Sequence, residues 1–281
     1  MFARLSNSWE LVKASWHVLL ADKELLIFPI ISFVASLIVM ATFAIPTLFA
    51  GLLDSMITDS GVSIFGYIVA FLFYVTLYTV TIFANAALVG AAMIRLKGGD
   101  PTVGDGFQIA TQHLGSIVGY AVIAATVGMI LRAISERSGQ LGRAIVSLIG
   151  FAWGIATFLV VPVLVVEEVG PMEAVKRSAG LLKQTWGEQI AGNFSIGLIF
   201  GLLTVVVILL GVPLAILAAA SNSIGMLVTV IVAVILLVIV LALISSTLSG
   251  IYTAAVYRYA TTGDTGGYFD ANMVKGAFKV K

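Results

Sequence analysis

Aromatic and polar side chains recur along one long apolar segment of the chain, between residues 62 and 95. They follow alternating steps of four and three residues, which places them on one face of a helix. This polar stripe consists of Tyr67, Phe71, Tyr74, Tyr78, Thr81 and Asn85. Uncharged groups of this kind can line a cavity for a small solute, or they can pack in a helix bundle with their hydrogen bonds satisfied by neighbours. The sequence leaves both interpretations open, and Asn85 is the most polar member.

A second group of chemically distinctive residues lies in a short phrase that occurs twice, 163 positions apart. The first copy is Glu10-Leu11-Val12-Lys13-Ala14-Ser15, the second is Glu173-Ala174-Val175-Lys176-Arg177-Ser178, and a fainter copy spans Asp105 to Ala110. Together with two tryptophans these residues form a candidate interface motif. Its members are Trp9, Glu10, Lys13, Trp16, Glu173, Lys176, Arg177 and Ser178. The acid–base spacing also allows ion pairs within each copy, of Glu10 with Lys13 and of Glu173 with Lys176 and Arg177.

Each copy precedes a pair of long apolar segments and has the spacing of an amphipathic helix. In the first copy the apolar positions form one face, away from Ser6, Glu10, Lys13 and His17. They are Leu5, Trp9, Val12, Trp16 and Leu19. Such helices either act as structural elbows between spans or form a cytoplasmic platform that contacts a partner or anionic headgroups.

Residues for catalysis or metal binding are scarce. The chain has no cysteine and only two histidines, and no His/Glu pair has metal-ligand spacing. No phosphate-binding or dinucleotide-binding glycine pattern occurs, and no basic soluble segment suggests nucleic acid. The fourteen acidic residues lie at span ends, in loops or in terminal segments. The sequence therefore predicts no catalytic, cofactor or metal site, no enzyme activity and no nucleic-acid partner, and it argues against carboxylate-based ion coupling.

Composition explains where these residues must sit. Of the 281 residues, 60% are hydrophobic and 10% are charged, whereas soluble domains carry about 25% charged residues. A bilayer core of about 30 Å is crossed by roughly 20 apolar residues in a helix. Six segments satisfy this requirement. They lie at about 25–52, 62–95, 115–132, 143–166, 190–219 and 224–259. Pro46, Pro162 and Pro213 are expected to kink the first, fourth and fifth of them.

Lysine and arginine placement predicts the orientation. Twelve of the fifteen lie in segments that six alternating spans bring to one side of the membrane, and only Arg132, Arg137 and Arg143 lie on the other. Because positively charged loops stay in the cytoplasm, both termini and all three amphipathic segments are expected there. We expect a multi-pass protein of a prokaryotic inner (plasma) membrane.

The predicted fold is an all-α polytopic membrane protein, a single integral membrane domain over residues 1–281. Its six transmembrane helices form three repeats, each a cytoplasmic amphipathic helix followed by a transmembrane hairpin. The repeats span 4–97, 100–168 and 170–260, and a cytoplasmic tail follows at 261–281.

Several phrases resemble an uncharacterised family of six-helix prokaryotic membrane proteins, a domain of unknown function. At the start they are Ser8-Trp9, Ser15-Trp16, Asp22-Lys23-Glu24-Leu25 and Phe28-Pro29, and at the end Tyr257-Arg258-Tyr259-Ala260, Gly263, Phe269-Asp270 and Ala277-Phe278. A central set is similar to a wider group that includes the membrane domains attached to some glycerophosphodiester phosphodiesterases. It comprises Pro162, Glu167, Pro171, Glu173-Ala174, Ser178 and Trp186. The resemblance implies a fold and no activity.

Three functions follow in order of preference. The first is a non-enzymatic membrane scaffold or accessory subunit that acts through its cytoplasmic interfacial helices, in contact with membrane lipids and a protein partner at that face. The second is a channel or facilitator for a small or amphiphilic solute, for which the polar stripe is the candidate path. The third is an enzyme that acts on lipid, but the sequence contains no recognisable set of nucleophiles or metal ligands for such a reaction. Homo-oligomers remain open, because small residues four apart on several spans allow close helix contacts.

Overall fold

Long apolar runs fold here as long helices, as a lipid environment requires when every backbone group must be satisfied within the chain. The computed structural model describes residues 2–49, 52–58, 61–186, 195–221, 223–264 and 266–269. The helices in this part are α1 (Phe2–Ala21), α2 (Ile27–Phe49), α3 (Leu52–Met56), α4 (Ile64–Leu96), α5 (Val103–Gln112), α6 (Leu114–Glu136), α7 (Gln140–Ala156), α8 (Val160–Val166), α9 (Pro171–Trp186), α10 (Ser195–Ala220) and α11 (Ile224–Thr262). A single 3₁₀ turn, Lys23–Leu26, joins α1 to α2.

Six helical segments in the described residues are long and apolar enough to cross a membrane, as predicted. They are Lys23–Leu48, Ile64–Leu96, Leu114–Glu136, Gln140–Val166, Ile199–Ala220 and Ile224–Thr262. Each overlaps one predicted span. The predicted start of the fifth span at residue 190 and the tail beyond residue 269 lie outside the described residues.

The fourth span is interrupted where Pro162 leads us to expect a kink. The α7 helix ends at Ala156 and α8 begins at Val160, with residues 157–159 between them. Proline lacks an N–H group, and its ring clashes with the carbonyl four residues earlier, here that of Phe158. The other two prolines that were expected to kink a span, Pro46 and Pro213, lie inside helices that continue past them.

One continuous core forms at one end of the bundle, which we call the base. Buried side chains concentrate in residues 82–96 of α4, 160–165 of α8 and 247–257 of α11, and α4 packs against both of the other helices. The helices α1, α5 and α9 surround this core and contribute buried residues to it, among them Leu11, Ala110 and Leu182. The base is therefore the best-packed part of the described structure.

Away from the base the spans expose apolar side chains. In α10 and the first half of α11, Leu209, Leu210, Leu217, Ile235 and Leu237 are each more than half exposed. Such a surface is unfavourable in water, since apolar area gains roughly 25 cal/mol per Å² when it is removed from water. In a bilayer the lipid chains cover it.

A short connection closes the first hairpin at the end opposite the base. Strands β1 (Ile57–Thr58) and β2 (Gly61–Val62) pair antiparallel between α3 and α4. The Ser63 hydroxyl donates to the carbonyl of Ser55 at 2.7 Å and accepts the amide of Gly66 at 3.1 Å. Ser63 thus caps the N-terminus of α4 and fixes where that span begins.

Candidate functional site

The polar stripe does not face one cavity. Thr81 and Asn85 line a cavity between α2, α4 and α11, whereas Tyr74 and Tyr78 line another, between α4 and α6. The two cavities share no lining residue, and Tyr67 lines neither of them and is half exposed. The stripe therefore divides into an inner part near the base and an outer part.

The outer part is organised by a charged residue of α6. Arg132 donates from Nη1 to the Tyr74 hydroxyl at 2.8 Å and from Nε to Glu136 Oε1 at 2.7 Å. Arg132 and Tyr74 border a cavity of about 200 Å³, together with Tyr78, Ala125, Gly128 and Met129. The hydrogen bond to Tyr74 links α6 to α4, whereas the ion pair with Glu136 lies within α6. Both side chains of that pair are more than 60% exposed, so it creates no desolvated charge.

The inner part belongs to a cavity of about 220 Å³, which we call the Asn85 cavity. Its lining mixes hydroxyl, amide and apolar groups from three helices and includes no charged side chain. The lining residues are Pro29, Ser32, Thr81, Ile82, Ala84, Asn85, Leu88, Ser246, Ser249, Gly250 and Thr253. Neither the serines nor Gly250 were singled out from the sequence.

Hydrogen bonding within the Asn85 cavity is incomplete. The hydroxyls of Thr81 and Thr253 donate to carbonyls of their own helices, at 2.9 and 2.8 Å. The side chains of four other lining residues form no hydrogen bond with any described residue; they are Ser32, Asn85, Ser246 and Ser249. The cavity therefore presents free donors and acceptors to whatever occupies it.

In the interface motif, α1 divides its predicted apolar face between the core and the surface. Val12 and Leu19 are buried, whereas Trp9 and Trp16 are 50% and 39% exposed. The core covers only part of a wide apolar stripe, and the tryptophans lie at its uncovered edge. Lys13, between them on the surface, donates to Glu10 at 2.7 Å, which is the predicted pair. The side chain of Leu5 lies outside the described residues.

The second copy of the motif is arranged differently from the prediction. Arg177 pairs with Glu167 at 2.8 Å instead of with Glu173, while Glu173 and Lys176 are exposed. Glu167 also accepts a hydrogen bond from the Tyr257 hydroxyl at 3.1 Å. Since Glu167 is held in place and partly buried, it is a stronger partner than an exposed carboxylate on the same helix.

Ser178 has a structural role. It is fully buried, and its Oγ accepts the backbone N–H of Leu159 at 3.0 Å. That amide lies in the interruption between α7 and α8, where it lacks a helical partner. The corresponding hydroxyl of the first copy, on Ser15, is also fully buried but has no hydrogen-bond partner among the described residues.

Comparison with known protein families identifies the family of this chain. A model described as a family of unknown function (DUF6159) matches residues 64–268, which is most of the chain. The chain belongs to this family. The match confirms the expected membership of an uncharacterised family, and it covers α4 through α11. No curated protein and no solved structure matches the chain.

A cluster of three charged residues, which was not predicted from the sequence, lies at the base, and two of its members, Arg95 and Asp100, fall within the residues matched by the DUF6159 model. Arg95, at the end of α4, lies 3.5 Å from Asp22 and also pairs with Asp100 at 2.5 Å. Burial raises the pKa of the Asp22 carboxyl, and the nearby Arg95 guanidinium opposes that rise. The sequence does contain a signal for this ion pair, because Asp22 and Arg95 carry opposite charges at the ends of two spans on the predicted cytoplasmic side. The cluster joins α1, α4 and the loop before α5.

In the described residues, no three His, Asp or Glu side chains lie close enough to hold a metal ion. The His113 ring forms a hydrogen bond through Nδ1 with the backbone carbonyl of Ile109, at 2.8 Å, within its own helical turn. The described residues can therefore bind a ligand through the uncharged polar groups of the Asn85 cavity, and they can contact a membrane or a partner through the exposed tryptophans of α1.

Proposed function

We propose that the protein is a non-enzymatic membrane scaffold or accessory subunit that acts through interfacial helices at its base. One observation carries this proposal. α1 buries one face in the core and exposes Trp9, Lys13 and Trp16 beside it. Tryptophan prefers the headgroup region of a membrane, where its ring is half immersed and its N–H remains solvated. Each lysine near an anionic membrane surface strengthens binding to that surface by about 1 kcal/mol.

An internal threefold repeat is part of the proposal. The positions that correspond in the three copies are Ser15, Ala110 and Ser178, and all three are fully buried. Their helices pack against α11, α4 and α8 respectively, which are the second helices of the three hairpins. Similar burial at corresponding positions supports one amphipathic unit used three times.

Orientation and origin are proposed from the charge distribution and the sequence resemblance. We place the base and both termini in the cytoplasm of a prokaryote, because most lysines and arginines fall on that side. The distant similarity to membrane domains attached to glycerophosphodiester phosphodiesterases belongs to the same proposal and carries no activity.

Native mass spectrometry of the protein, extracted from its host with its surrounding membrane, tests the scaffold role. We expect a second protein at fixed stoichiometry, and we expect the double variant Trp9→Ala/Trp16→Ala to lose it. A matched control is Phe65→Ala/Tyr67→Ala, which removes two aromatic residues of similar exposure (44% and 50%) at the opposite end. The absence of any partner, together with solute flux by the purified protein alone, would overturn the proposal.

A channel or facilitator for a small or amphiphilic solute is the second candidate, and the Asn85 cavity is the observation that favours it. Liposome flux that falls in Asn85→Leu would support this candidate. The stripe counts against this candidate, because its residues line separate cavities.

A further inference from the structure

We propose that the Asn85 cavity binds the uncharged, hydroxyl-bearing head of a membrane amphiphile, with a diacylglycerol as the representative ligand. This site goes beyond the scaffold role, since it requires neither a partner protein nor transport. Four observations support it: unpaired polar groups, the absence of charge, the size of the cavity and the direction in which it opens.

The unpaired groups define what the ligand must offer. The side chains of Asn85, Ser32, Ser246 and Ser249 contribute both donors and acceptors, and none of these side chains is hydrogen-bonded to a described residue. Polar groups removed from water are unfavourable unless they are hydrogen-bonded, and lipid chains cannot supply the bond. A hydroxyl can donate and accept at once, so a head with two or three hydroxyl or ester oxygens complements this lining.

The lining also sets the charge of the ligand. None of its side chains is ionisable at neutral pH. A phosphate or carboxylate would lose its hydration there without gaining an opposite charge, which makes its entry unfavourable. An uncharged head group has no such desolvation cost.

The size of the cavity excludes large heads. Its volume of about 220 Å³ corresponds to roughly seven water molecules at liquid density. A glycerol unit fits this space, whereas a sugar of several rings does not.

The cavity opens away from the base. Toward the base it is closed by the buried residues Leu88, Gly250 and Thr253, and a Cβ on Gly250 would collide with Leu88. Toward the middle of the spans, the lining residues Thr81 and Ser246 are exposed. Further along the same three helices, Leu37, Leu72 and Val240 expose apolar surface. A ligand with acyl chains can therefore enter from the bilayer and leave its chains on that surface.

Lipid retention in nanodiscs is the test. The full chain is reconstituted in phosphatidylcholine nanodiscs that contain equal amounts of dioleoylglycerol and trioleoylglycerol, and the lipids that remain bound are counted by native mass spectrometry. We expect preferential retention of one dioleoylglycerol, which has the free hydroxyl. A parallel arm adds free glycerol to the buffer, and we expect little displacement. Equal retention of the two lipids, retention of neither, or full displacement by glycerol would overturn the proposal.

Variants locate the site. Ser249→Ala removes one hydroxyl at little steric cost, and Asn85→Leu replaces the amide by an apolar group of similar size. We expect each to lower dioleoylglycerol retention roughly fivefold, the equivalent of one neutral hydrogen bond. Ser147→Ala in α7 and Thr229→Val in α11 are matched controls outside the cavity lining and should leave retention unchanged. Retention that is unchanged in Ser249→Ala and in folded Asn85→Leu would also overturn the proposal.

Discussion

Two serines at equivalent positions of the repeated phrase have different surroundings. Ser178 accepts the Leu159 amide at the interruption of the fourth span, whereas Ser15 is buried without a partner. A buried donor that loses its acceptor costs about 1–3 kcal/mol. We therefore expect Ser178→Ala to lower the free energy of unfolding by about that amount, measured by thermal or denaturant unfolding in detergent.

Ser15→Ala is the matched control for this prediction. It deletes a buried hydroxyl that makes no hydrogen bond to a described residue, so we expect stability to be unchanged or slightly raised. Equal losses in the two variants would contradict the role assigned to the Ser178 hydroxyl.

The same pair shows what residue patterns can and cannot predict. The recurrence of the phrase singles out Ser178, because identical residues return at fixed spacing. Its partner lies 19 residues earlier, in a segment whose interruption has to be known first. The pairing of Arg177 with Glu167 was missed for a similar reason, since the exposed helical neighbour Glu173 has the conventional spacing.

Among the helices, α5 has the most clearly defined start. Thr102 and Asp105 form a reciprocal capping box, in which the Thr102 amide donates to Asp105 Oδ2 at 2.8 Å and the Asp105 amide donates to the Thr102 hydroxyl at 3.2 Å. The Thr102 hydroxyl also donates to Asp105 Oδ2 at 2.8 Å. These bonds lower the pKa of the Asp105 carboxyl. The folded state therefore favours the ionised carboxylate of Asp105. Its contribution to the stability of the folded state is complete above the unfolded-state pKa of about 4. It is lost as the pH falls through the lower folded-state pKa.

We accordingly expect Asp105→Asn to be less stable than the natural sequence at pH 7, with a difference that shrinks toward pH 3. Thermal unfolding in detergent across this range measures the effect. Asp54→Asn, in α3, changes a carboxylate that makes no hydrogen bond to a described residue and should leave stability at pH 7 nearly unchanged. A difference for Asp105→Asn that stays constant from pH 7 to pH 3 would contradict the capping role.

At the element scale, the sequence predicts where helices run better than what their faces meet. The apolar runs locate all six spans, and Pro162 predicts the interruption near residue 158. The periodicity of the polar stripe correctly places its members along α4. That helix passes α6 near Tyr74, and α2 and α11 near Asn85, so the residues of one stripe line separate cavities. Periodicity carries no information about the neighbour at each level.

For the whole molecule, the Asn85 cavity combines parts that are distant in sequence. Ser32 and Asn85 belong to the first hairpin and Ser249 to the last. The periodicity of the polar stripe includes Asn85, but single serines in apolar spans are common and usually bond to their own helix, so no spacing distinguishes Ser32 and Ser249. The packing of α2 and α11 against α4 brings them together. The base that holds this packing also determines which end of the cavity is closed.

The side of the membrane on which the base lies is open to direct measurement. The chain has no cysteine, so a single introduced thiol reports its own location. Lys97, just after α4, is exposed at the base, and Arg137, just after α6, is exposed at the opposite end. Because lysine and arginine residues concentrate on the base side, we expect a membrane-impermeant maleimide to label Arg137→Cys in intact cells. Lys97→Cys should react only in inverted membrane vesicles. Each variant is the control for the other, and the reverse pattern would place the base outside the cell. That result would separate the interfacial helices from any cytoplasmic partner and leave the lipid site in the opposite leaflet.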